Sequence, residues 1–321
     1  MRRIRQFLAI AWLTALEALR EPLCLLLTSL SVLFAGALPF LITHNLEASE
    51  RLVRDSAFAL YFMTGLLLAA YSAGRTLHRE VQLGTVAMVL SKPIDPGFFF
   101  LAKATGILGL MGAYGVTGTI AVLLSAKAAK PWFDTDWWGN TPLFVAILAA
   151  YLLAAVTNYR RRRPFVSNAY GFMLLCLIPA LLIGGSRDPA AGWLAPWEVL
   201  DLAILPAATL IAFALMVLAS LCLLLATRLP VVPTLSIATL VFLLGLMSDY
   251  FFGRHADANP AAALAFALTP NWQHFWRVDA LAYPDGLAWA YVGRAAVYAA
   301  GMMAVFLGLG TVSFRHTEIQ G

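Results

Sequence analysis

Residues 201–226 read DLAILPAATLIAFALMVLASLCLLLA. After Asp201 the run holds no Asp, Glu, Lys, Arg or His, and it exceeds the roughly 20 apolar residues that a helix needs to cross a bilayer. A helix that is apolar all round has no face for water and belongs in lipid or deep in a bundle. Seven further runs read the same way, at roughly 23–43, 57–75, 99–126, 142–158, 165–184, 233–252 and 290–313. The run at 142–158 is short, and Pro179 and Pro206 are expected to kink their helices.

Composition agrees. The 321 residues are 61% hydrophobic and 12% charged, against about 45–50% and about 25% in an average soluble domain. Such a chain lacks the polar residues to cover a soluble core of this size. The fold class is therefore all-α: a single polytopic transmembrane helix bundle, residues 1–321, of about six to eight spans. Cys24, Cys176 and Cys222 lie inside apolar runs with no metal-pair spacing and read as small packing residues.

The formal net charge of +5 is read through topology rather than as a sign of nucleic-acid binding. Basic residues gather on alternate connections: Arg2, Arg3, Arg5 and Arg20; Arg75, Arg79, Lys92 and Lys103; the run Arg160–Arg163; Arg228; and Arg315. The opposite set holds fewer, so the charge rule makes both termini cytoplasmic in a plasma (inner) membrane. The tryptophan clusters WFDTDWWG (132–139), WLAPW (193–197) and NWQHFW (271–276) then all fall outside, as an interfacial aromatic belt. A carbohydrate- or lipid-stacking site is the sharper alternative for them.

Residues 1–22 do not read as a signal peptide, because Glu17, Arg20 and Glu21 interrupt the apolar core. Ile4, Leu8, Trp12, Ala15 and Leu19 recur at helical spacing, which predicts an amphipathic helix in the membrane surface, broken from the first span by Pro22. Residues 253–289 are too interrupted to span and predict an extracytoplasmic re-entrant or interfacial segment. The glycines at 106, 109, 112, 115 and 118 wind around the third span and read as packing positions.

Chemistry-bearing motifs are absent from the sequence: no GxxxxGK[ST], HExxH, paired CxxC or GxSxG, and no two of the five histidines at ligand spacing. The middles of the apolar runs lack ionisable residues, which argues against a proton-coupled carrier. Any energy for transport would come from outside the membrane domain.

One connection is unusual. Residues 79–103, REVQLGTVAMVLSKPIDPGFFFLAK, join the second and third runs. Within the cytoplasmic loop at 76–98, Glu80 to Leu90 suits a short helix with Val81, Thr85 and Met88 on one face, Gly84 permitting close approach and Lys92-Pro93 ending it. An apolar helix on this side predicts a protein partner; packing on the bilayer or on the chain itself is the alternative.

Glu80, Gly84-Thr85, Leu90, Pro93 and Lys103 stand in a pattern that resembles the cytoplasmic loop of membrane subunits of ABC exporters of the ABC-2 type. The amphipathic start at 2–20, the broken segment at 253–289 and the tail Phe314-Arg315-His316-Thr317-Glu318 fit the same family. The family core has six spans, so an eight-run reading implies either an added pair around 142–226 or two half-spans there. The resemblance implies a permease that is not itself an enzyme and carries no cofactor. ATP and Mg would sit on a separate cytoplasmic ABC ATPase subunit, and a second permease copy, identical or a sister, would complete the pathway. Glu80, Val81, Gly84, Thr85, Met88, Leu90 and Pro93 would form the coupling helix gripped by the ATPase. Glu80 would pair with a basic ATPase residue or simply favour the helix N-terminus; Lys92 and Lys103 would anchor the next span at the headgroups. The competing reading is a polytopic membrane enzyme, such as a lipid-linked glycosyl or acyl transferase, using His255, Asp257, His274 and Asp279 near Trp272 and Trp276. A third is a non-transporting ABC-like scaffold.

Overall fold

The computed structural model describes residues 2–42, 49–78, 95–129, 136–188, 191–255, 259–283 and 286–315. The long elements are α1 (Arg2–Arg20), α2 (Pro22–Leu41), α3 (Ser49–Ala73), α4 (Pro96–Ala128), α5 (Trp137–Arg161) and α6 (Phe165–Gly185). After the short α7 (Pro196–Val199) come α8 (Ile204–Ala226), α9 (Val231–Leu246), the short α10 (Ser248–Phe251), α11 (Pro260–Leu268) and α12 (Trp289–Arg315). A two-residue antiparallel pairing, Arg187–Asp188 with Gly192–Trp193, links α6 to α7.

Among the described residues seven helices are long and apolar enough to cross a membrane: α2, α3 with its extension to Leu77, α4, α5, α6, α8 and α12. α9 followed by Ser248–His255 is long and apolar enough only as a pair bent by 64°, a broken span or a re-entrant loop. The chain is an all-helical multi-pass membrane protein. The centre of the bundle is formed by α3, α4 and α8, whose apolar windows are each 67% buried, while α5, α6 and α12 are nearer 30% and stand at the edge. Cys24 and Cys222 are buried free thiols, as their apolar settings predict.

The structure excludes the half-span reading of 142–158 and 165–184. α5 and α6 are full-length helices of 25 and 21 residues. They pack chiefly on each other as an antiparallel hairpin, closed by Arg162 in the left-handed region at φ 50°. The run at 142–158 looked short only because Trp137–Thr141 are polar-looking helix. Pro179 lies inside the continuous α6, and Pro206 falls in the first turn of α8, where its missing N–H costs no hydrogen bond.

Three boundaries differ from the sequence reading. α3 begins at Ser49, eight residues before the apolar run, because its charged first turns are paired: Arg51 with Asp55 at 3.6 Å and with Asp279 at 3.2 Å, and Arg54 with Asp55 at 3.5 Å. α4 begins at Pro96, since Asp95 accepts from the Phe98 amide at 3.0 Å and Pro96 suits the first helical position. The helix expected over 233–252 breaks at Met247. There the chain at 270–273 wedges in: Gly245 lies against the Pro270 carbonyl and the Trp272 indole. The Trp272 Nε1–H and Gln273 Nε2 donate to the Val241 and Leu246 carbonyls at 3.4 and 2.9 Å, and Asn271 Nδ2 donates to Asp249 at 2.8 Å. Side chains inserted into the helix ladder are a recognised cause of such a bend.

That wedge also corrects the aromatic belt. Trp137, Trp138, Trp193 and Trp197 are more than 60% exposed, as a belt requires, but Trp272 is 2% exposed and is part of the core.

Candidate functional site

The residues expected to couple to an ATPase, Glu80, Val81, Gly84, Thr85, Met88, Leu90 and Pro93, lie outside the described residues, as does Lys92. Both points at which that segment joins the bundle are described, and each is tied to another helix.

At the first, α3 widens into a π-turn over Gly74–His78. Arg75 Nε meets Glu21 Oε1 at 3.1 Å, and the Tyr71 hydroxyl donates to Glu21 Oε2 at 3.0 Å. Glu21 sits at the joint between α1 and α2, so the end of α3 is fastened to the amphipathic helix. On its other side Gly74 packs on the start of α9: an added Cβ would stand 2.7 Å from Val231 Cγ2. The close approach needs a residue without a side chain.

At the second, Asp95 carries two loads. It caps α4 through Phe98 and receives Arg315 Nη2 on both carboxylate oxygens, at 3.2 and 3.0 Å. The Phe98 amide first, and then Arg315, hold its carboxyl below the usual aspartate range. Gly97 admits this closure, because a Cβ there would lie 2.8 Å from Thr311 and 3.0 Å from Arg315 Nε. Around the pair, Phe98 meets Phe7 of α1 edge-on at 5.4 Å, and Phe99 and Phe100 pack on Phe314 at 6.3 and 5.8 Å. α12 is fixed in turn to the end of α8, with Thr227 Oγ1 2.9 Å from Ser313 Oγ and Arg228 Nη2 donating to the Ser313 carbonyl. Lys103, expected at the headgroups, is instead 3% exposed and lies over the Phe99 ring at 5.3 Å.

α1 has three faces. Ala11, Thr14 and Ala18 are buried; Ile4, Leu8 and Trp12 are more than half exposed; Arg3, Arg5, Gln6, Glu17 and Arg20 are exposed on the remaining side, with Leu13 among them. The buried face crosses α4 at Gly106, where an added Cβ would collide with the Ala11 carbonyl and stand 2.8 Å from Thr14. The large apolar face points outward, as suits a helix at a membrane surface. Of the glycine series in α4, Gly106 packs on α1, Gly112 on Met216, and Gly115 and Gly118 on Tyr61, whereas nothing lies within 4 Å of a Cβ at Gly109.

The residues of the enzyme reading are dispersed in their contacts. Asp279 pairs with Arg51, His274 sits edge-on to Tyr298 at 5.4 Å, exposed His255 ends a 3-10 turn, and Asp257 lies outside the described residues. No group of three His, Cys, Asp or Glu among the described residues is placed to hold a metal ion.

Comparison with known proteins returns no match for this chain, whether among family models, curated proteins or solved structures.

Proposed function

We propose that this chain is the membrane-spanning permease subunit of an ATP-driven exporter of the ABC-2 type, working with a separate cytoplasmic ATPase and a second permease copy. The observation that carries the reading is the double anchorage of the segment between α3 and α4. The last described residues before it stand beside the Glu21–Arg75 pair, and the first described residue after it forms the Asp95–Arg315 pair. A force applied to such a segment is passed at one side to α1 and α2 and at the other to α4 and α12, with α4 at the centre of the bundle. The absence of a P-loop from the sequence supports a partner that supplies ATP hydrolysis. Charge supports the orientation: Arg20, Arg75, Arg228, Arg315 and the exposed Arg160–Arg163 turn belong to the same end of the alternating helices, which makes that end cytoplasmic in the inner membrane.

The test replaces Gly84 and Met88 together by aspartate. A P-loop ATPase is expected to co-purify with the wild-type chain and to be stimulated by it. In the double variant the permease stays folded while stimulation is lost. Undiminished stimulation with both aspartates in place would remove the proposed role of residues 80–90.

A further inference from the structure

Beside the bend after α9 lies a cavity of about 370 Å³ whose lining comes entirely from Ala, Ile, Leu, Met, Phe and Trp residues of α3, α8, α9 and the 272–276 wedge. Its floor is closed: Phe62, Ile211, Ala214, Trp272 and Phe275 are all at most 3% exposed. Its mouth is formed by Met63 and Leu243, which are 53% and 52% exposed. Met63 lies 14 residues along α3 from Ser49 and Leu243 lies 12 residues along α9 from Val231. At 1.5 Å per residue Leu243 is about 18 Å along α9, and Met63, counted from Ala57 where the apolar part of α3 begins, is about 9 Å deep from the opposite face; both fall inside a hydrocarbon layer about 30 Å thick. The mouth therefore opens sideways into acyl chains, away from both aqueous faces.

We infer that this cavity is a binding site for a single acyl chain of a membrane phospholipid. The inference rests on the membrane-spanning fold alone and is independent of the exporter reading. Water meets almost no polar surface inside, because the lining is nearly all apolar and the Trp272 N–H is directed to the Val241 carbonyl. An empty cavity of this size would forfeit contacts on every wall. The aromatic walls also select shape. Phe62 and Phe242 meet at 38°, Phe242 and Trp272 at 50°, and Phe62 and Trp276 at 82°. Neither these three pairs nor Trp272 with Phe275, at 42°, offer parallel faces for a flat polycyclic molecule, whereas a flexible chain follows tilted walls. Met63 at the mouth has the side-chain freedom to admit it.

The experiment places the full chain in phosphatidylethanolamine–phosphatidylglycerol vesicles containing a phospholipid with a diazirine in one acyl chain, then irradiates and maps the labelled residues. Labelling is expected to concentrate at 59–63, 242–246 and 272–276, on the order of tenfold above the outward face of α5 and α6 at Leu148, Leu152 and Leu175. Ala59→Phe and, separately, Ala214→Leu fill the cavity from different walls and are expected to bring labelling down to that background. Organic extracts of the purified protein are expected to yield the same phospholipid. Equal labelling of cavity and α5–α6 surface in the wild type would overturn the proposal whether or not either variant folds. So would labelling unmoved by two folded variants, or retention of a non-phospholipid amphiphile that displaces the label.

Discussion

Lys127 and Asp136 form an ion pair of 2.8 Å in which each side chain is only 5% exposed. The pair bridges the C-terminus of α4 and the N-terminus of α5, and Lys127 Nζ donates a second bond, of 2.7 Å, to the Gly184 carbonyl at the end of α6. Asp136 also accepts from the Gly139 amide at 2.9 Å as the cap of α5. One cation thus fastens the α5–α6 hairpin to the central helix at the end opposite α1.

Breaking one side of such a pair leaves the other charge buried. Lys127→Met is expected to destabilise the protein by about 3–5 kcal/mol, whereas Lys127→Met with Asp136→Asn costs less because no bare charge remains. Thermal unfolding in detergent reads both. A double variant as unstable as the single one would mean that the loss is not that of a bare buried charge and that the hairpin depends on the ion pair itself.

The docking of α1 depends on a missing side chain. At Gly106 the α1 backbone occupies the space that a Cβ would need. Gly106→Val is expected to release α1 from α4 while the spanning helices remain. Limited proteolysis after Arg20 should then become rapid, and Trp12, already 67% exposed, should change its emission little. Gly109→Val is the control, since nothing lies within 4 Å of a Cβ there. Equal protease resistance in the two variants would place the α1 contact elsewhere.

In the bundle centre the Tyr114 hydroxyl gathers three helices. It lies 2.5 Å from Thr64 Oγ1, 2.8 Å from the Tyr61 carbonyl and 3.1 Å from Ser31 Oγ. Hydrogen bonds between spanning helices are worth about 0.6 kcal/mol each on average. Tyr114→Phe should therefore lower stability by roughly 1–2 kcal/mol, measurable by denaturation in mixed micelles. Ser31→Ala, which removes one partner, should cost less. A neutral Tyr114→Phe would show that water or other groups serve those partners equally well.

The apolar runs were legible because membrane insertion is a local property of about 20 residues. What lay outside them was set by contacts between distant parts of the chain. Charges at 50–55 read as loop, yet they are helix because Arg51 finds Asp279 far along the sequence. The run at 233–252 reads as one span, and only the arrival of Asn271–Gln273 explains its break. NWQHFW has the composition of an interface, and no local signal distinguishes buried Trp272 from exposed Trp137. At the candidate site, Asp95-Pro96-Gly97 is a readable helix start that defines the end of the segment more closely than the apolar run does. Its partner Arg315 belongs to the Phe-Arg pair of the tail, but nothing in the spacing of 220 residues indicates that the two meet.

That meeting carries the last prediction. Because Asp95 titrates below its usual value of 3.8, its contribution is fully present above that value. It is lost only as pH falls through the lowered native one. Hydrogen exchange in the peptides spanning 95–101 and 309–315, normalised to intrinsic rates, should therefore stay flat from neutral pH to about pH 4 and rise below it. Asp95→Asn keeps a capping oxygen for Phe98 but removes the charge that holds Arg315. In that variant the 309–315 peptide should exchange faster already at pH 7 and show no acid step, while 95–101 changes less. Arg315→Gln should reproduce the first effect and leave the cap in place. A step that begins well above pH 4 in the wild type, or that persists in Asp95→Asn, would assign the titration to another group and leave α12 without this tie to the start of α4.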